Sequence, residues 1–155
     1  MVLVEVYLLR CRPDGLLAYR RAAGHLEPGE TPDAAAERVG VNPAGQHDEH
    51  VVAVHSTSWR HLDDGTIVLT YAVVPDPEPT SPAIAIRSHE VARSADPRRP
   101  SPPQVRHAQV AAHAARHLAL IADTDPLVRE VLDRSPELGR ALAALGRVPA
   151  GQLSC

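Results

Sequence analysis

The chain has no phenylalanine, one tryptophan, three tyrosines and one methionine among its 155 residues. Aromatic rings therefore cannot fill its interior, and Ala, Val and Leu have to build the core. Its two cysteines, Cys11 and Cys155, lie near opposite ends with no paired spacing. That pattern argues against a secreted disulfide scaffold and for a reduced, cytoplasmic protein. No apolar run approaches the ~20 residues of a membrane span. "MVLVEVYLL" carries Glu5 and has no basic leader, so it reads as a strand rather than a signal or a membrane anchor. The formal net charge is −3 with no basic stripe interleaved with aromatics, which leaves nucleic-acid binding without an electrostatic footprint. There is no G-x-S-x-G elbow, no P-loop, no dinucleotide fingerprint and no internal repeat.

What is present suits one compact domain with a helical extension, long enough to bury a core unaided. "VLVEVYLLR" (Val2 to Arg10) reads as a strand closed by the Pro13-Asp14-Gly15 turn, and "LLAYRR" (Leu16 to Arg21) as its hairpin partner. Thr31-Pro32-Asp33 is a helix start: Thr caps, Pro suits the first turn, and Asp favours the positive end. "AAAERV" continues that helix, and Gly40, Asn42 and Pro43 are expected to stop it early. Residues 50–60 and 66–74 read as strands around an "LDDG" turn. Residues 75–82 and 96–103 are Pro-rich connections, with a short strand expected within "AIAIRSHEVA" between them.

Beyond them the apolar period becomes helical. "QVRHAQVAAHAARHLALIADTD" predicts a long helix, and Asp125-Pro126 and Ser135-Pro136 each restart another. The order of elements predicts an α+β fold: a mixed sheet flanked by helices, with residues 1–95 as the core and 96–155 as a Pro-rich connection and helices packing on it.

The stretch "GHLEPGETPDAAAERVGVNPAG" (Gly24 to Gly45) resembles the Nudix box of the Nudix hydrolases, whose pattern is G-x5-E-x7-R-E-U-x-E-E-x-G-U with U aliphatic. Gly24, Glu30, Arg38 and Gly45 fall in register; Glu27, Gly29, Thr31, Ala35 and Ala36 also match common fillings of that box. The resemblance implies a Nudix-like α/β/α sandwich, and homodimers are frequent in that family. The second half of the box departs. Val39 stands at a glutamate position, Gly40 at an aliphatic one, Asn42 and Pro43 at the paired glutamates, and Gln46 at the last aliphatic site.

In the resembled family those glutamates hold divalent cations that bridge pyrophosphate oxygens and activate water. Losing three carboxylates therefore predicts a degraded, catalytically impaired box. Such a protein would bind a nucleotide-like or phosphorylated small molecule, or a protein partner. The alternative is an active hydrolase of a nucleoside diphosphate linked to another moiety. Mg or Mn would then be held by non-standard ligands: Glu27 and Glu30, the candidate catalytic residues, with Asp48 and Glu49.

Arg38 is either a ligand contact or the ion-pair partner of Glu30, and Gly24 either approaches a ligand or serves backbone geometry. Trp59 is either a stacking surface or the largest core filler. Arg20, Arg21 and Arg60 are candidate phosphate contacts at the mouth of the loop. His113 and His117, four apart on the long helix, share a face as a zinc pair would, but without a third ligand in view.

Overall fold

A computed structural model of the chain describes residues 1–42, 51–87 and 105–145. Strands β1 (Val2–Cys11), β2 (Leu17–His25), β3 (Ala53–His61), β4 (Ile67–Val74) and β5 (Ile84–Ala85) form one mixed sheet in the order β3-β4-β1-β2-β5. β1 and β4 run parallel, and every other pairing is antiparallel. Helices α1 (Pro32–Ala36), α2 (His107–Ile121), α3 (Pro126–Arg134) and α4 (Pro136–Ala143) complete the described chain. The expected α+β class and the mixed sheet are therefore observed.

Alternation along β1 divides the interior in two. Val4, Val6 and Leu8 face α1 and pack with Ala35, Ala36, Tyr71 and Val73. Tyr7 and Leu9 face the other way and share one cluster with Leu17, Tyr19, Val110, Leu118, Val128, Leu138 and Leu142. Helices α2, α3 and α4 thus belong to the same core as the sheet. That core is built of Ala, Val and Leu with tyrosines, as the missing phenylalanine requires. The alanines of α2 let the helix lie close to the strands, since Ala111, Ala112, Ala114 and Ala115 have no exposed surface.

Four local expectations are corrected or decided. The early stop falls at Asn42 rather than at Gly40: a π-helical segment, Glu37–Val41, continues α1 past the glycine and is capped by Asn42. A Cβ at Gly40 would lie 2.6 Å from Val6 Cγ1, so glycine here lets the segment sit directly on β1. Trp59 is not core, because 68% of it is exposed on the edge strand. The long helix begins at His107, with Gln109 Oε1 accepting from the Arg106 amide, and it ends at Ile121, short of Asp125. The Asp125 carboxylate instead accepts from the amides of Leu127 and Val128 and caps α3. β2 also runs beyond the expected Arg21 to His25.

Candidate functional site

The loop before α1 is held by a single cation. Arg38 Nε donates to Glu30 Oε1 at 2.7 Å and its Nη2 to Glu30 Oε2 at 2.8 Å. The same Nη2 reaches the His25 carbonyl, and Glu27 stands 3.6 Å from Nη1. Glu30 Oε2 also accepts from the Glu27 amide at 3.0 Å. The Arg38 bonds first and the Glu27 amide second lower the Glu30 pKa to about 2. Arg38 is therefore the partner of Glu30, fastening β2 and the loop to the helical segment.

Val39, at the glutamate position of the resembled box, is partly buried against the α1-side core. A Cβ on Gly24 would come within 2.7 Å of Val39 Cγ2, so Gly24 makes room for that valine. Tyr71 ties α1 to β4 through its hydroxyl, which donates to Asp33 Oδ1 at 2.7 Å.

This arrangement fits a magnesium or manganese cluster poorly. Both Glu30 oxygens are engaged, and among the described residues no three His, Cys, Asp or Glu side chains group as metal ligands. Asp48 and Glu49 lie outside the described residues. His117 Nε2 stands 3.3 Å from His55 Nδ1 on β3, and the other His55 nitrogen is 3.8 Å from Asp125. Burial lowers the pKa of both His113 and His117. The expected pair on α2 thus acquires a histidine neighbour from the sheet, without a three-ligand group among the described residues.

The expected ligand-binding residues divide between the two faces of the sheet. Trp59 pairs with Leu69, which packs on the α1 side, and Gly24 and Arg38 belong to that side too. Arg21 and Arg60 project to the α2 side, where they meet on a residue not among the expected ligands. Glu5, in the middle of the central strand, has no exposed surface. Arg21 Nε donates to its Oε2 at 2.7 Å, and Arg60 Nη1 to its Oε1 at 2.8 Å. Arg60 Nη1 also reaches Thr70 Oγ1 at 3.3 Å.

Burial pushes the Glu5 carboxyl up, but the bonds from Arg60 and then Arg21 outweigh it and hold the pKa below its ordinary value. Beside this trio, the Tyr7 hydroxyl lies 2.9 Å from His107 Nδ1, which is itself 3.7 Å from Glu5 Oε2. Burial, and then the Arg21 charge, lower the His107 pKa, while Glu5 acts in the opposite sense. A lone Glu inside "VLVEVYLL" was the available signal, because a charge in a central strand needs a buried partner.

A second carboxylate is built in a related way at the other end of β1. Asp76, whose side chain is fully covered, accepts from Arg10 and Arg20, each at 2.9 Å, and from the Glu78 amide. Arg10 donates further to the carbonyls of Glu78 and Ser81, and Arg20 approaches the Glu78 carboxylate at 3.5 Å. This cluster pins the Pro-rich loop after β4 onto the first hairpin. A cleft of about 520 Å³ opens beside it, and another of about 420 Å³ lies among α2, α3 and α4. None of the expected site residues lines either cleft.

No protein-family profile, curated protein or solved structure matches this chain.

Proposed function

We propose that the chain is a Nudix-like protein whose degraded box no longer runs metal-dependent hydrolysis, and that it binds a nucleotide-like or phosphorylated small molecule. One observation carries the first half of this reading. Arg38 occupies both oxygens of Glu30, while Val39 fills apolar space at a position where the resembled family has a carboxylate. A box arranged in this way fastens a loop and offers no converging oxygen ligands for a cation. The mixed sheet, with parallel central strands and a short helix on one face, is compatible with the resembled architecture. The second half is supported by the paired arginines on the opposite face, since guanidinium groups match phosphate geometry.

The test is phosphate release from a panel of nucleoside diphosphate derivatives with Mg or Mn, beside thermal unfolding with the same panel. The expected result is no turnover and a raised Tm with a phosphorylated member. Metal-dependent turnover abolished by Glu30→Gln would overturn the reading and establish a hydrolase with replacement ligands.

A further inference from the structure

We propose that Arg21 and Arg60, seated on buried Glu5 and flanked by His107, form a binding site for a phosphate-type oxyanion carried by a small ligand on the α2 side of the sheet. The inference rests on the reading of this chain as a binder of phosphorylated molecules, and it says where and by what chemistry the anion is held.

Charge balance is the first argument. Two guanidinium groups share one carboxylate at Glu5, which leaves an excess of one positive charge beside a fully buried anion. At Asp76 the corresponding two arginines meet two carboxylates, because Glu78 joins Arg20. The Glu5 cluster is thus one anion short of the balance its counterpart has. The chain as a whole is negative, so this local excess runs against the overall charge.

Donor geometry is the second argument. The bonds to Glu5 use Nε of Arg21 and Nη1 of Arg60. No carboxylate or carbonyl among the described residues accepts from the remaining guanidinium nitrogens of either side chain. The Arg21 side chain is 34% exposed and that of His107 52%, against 18% for Arg60, so the cluster opens to solvent on the Arg21 and His107 side while Glu5 stays sealed beneath it. Glu5 then works as a positioning residue that fixes both forks. A fork already held through one nitrogen loses less freedom when its terminal nitrogens take an oxyanion. A phosphate or pyrophosphate oxygen cluster is the complementary ligand, able to accept two parallel N–H bonds from one guanidinium.

The experiment is titration calorimetry on the full chain with inorganic pyrophosphate, ADP and adenosine, in low-salt buffer without phosphate and without metal. Pyrophosphate and ADP are expected to bind and adenosine is not. Arg21→Lys should weaken both phosphorylated probes about tenfold or more, because lysine can satisfy Glu5 or the ligand but lacks the fork to serve both. Arg12→Lys, at an exposed arginine paired with Asp14, should leave affinity unchanged. Near-UV circular dichroism of each variant checks that the fold is intact. If Arg21→Lys does not fold, His107→Gln, at a half-exposed position, serves in its place with a smaller loss expected.

ADP binding that Arg21→Lys and His107→Gln both leave intact would overturn this site while the ligand-binding reading stands. Binding through Arg21 together with metal-dependent phosphate release would keep the site and overturn the non-hydrolytic reading. Failure of pyrophosphate and ADP to bind would overturn both.

Discussion

Glu5 and Asp76 are both carboxylates buried near the central strand, and each is gripped by two arginines. They differ in what the arginines do next. Arg10 and Arg20 also hold Glu78 and two carbonyls of the following loop, so the donors at Asp76 have protein acceptors around them. Arg21 and Arg60 hold Glu5 without a second carboxylate, and Arg21, the more exposed of the two, lies beside a half-exposed histidine. A buried ion cluster whose arginines also meet a second carboxylate and two carbonyls explains itself as a fastening. One left open toward solvent suggests a use beyond fastening, because its desolvation cost is not offset by complete pairing.

The largest effect is expected from breaking the closed cluster. Asp76→Ala strands two arginines beneath the loop and should cost about 3–5 kcal/mol in urea unfolding. Glu5→Gln keeps the shape and one acceptor, and part of the freed charge reaches water through Arg21. Its cost should be smaller, about 1.5–3 kcal/mol. Equal losses at the two sites would erase the distinction drawn here.

Gly40→Ala tests the contact of the π-helical segment with β1. A Cβ 2.6 Å from Val6 Cγ1 must displace a branched side chain or the segment itself, for about 1–3 kcal/mol by chemical denaturation. The pH effect is broader and milder. Burial depresses the pKa of His113 and His117, and burial with Arg21 that of His107. In the unfolded chain these groups take up protons first, at their ordinary value near 6.5. Stability from these groups is therefore complete above that pH and falls as the pH drops through the lower folded values. A Tm series from pH 7.5 to about 5 should show this decline, and a flat series would remove the burial argument for all three. The smallest effect belongs to Trp59→Ala, expected within about 0.5 kcal/mol, since the ring stands largely in solvent.

Much of the architecture was legible because it rests on short-range rules. Alternating Val and Leu with an Asp-Gly turn gave the first hairpin, and Pro at the second residue of each restart gave α3 and α4. Helix ends were less legible: the π-helical segment runs past Gly40 to Val41 because glycine there seats it on Val6 of β1, a contact with another element that local propensity does not show. The Arg38–Glu30 pair was one of two readings of Arg38 that the box left open, and the structure takes it. The Glu5 cluster did not, for a physical reason. Its members come from positions 5, 21, 60 and 107, and the register of four strands together with the seating of α2 brings them together. The same register separates Trp59 from Arg60, adjacent in sequence but on opposite faces.

The parallel pairing of β1 with β4 also bears on how the chain reaches this structure. β1 closes locally on β2 through a short turn, but its other edge waits for Ile67 to meet Val2. Until that long loop closes, one edge of β1 stays open, with Glu5 still lacking Arg60. The slow step in refolding is therefore expected to be this closure, in the millisecond-to-second range of nonlocal sheets, with the alanine-rich α2 forming sooner.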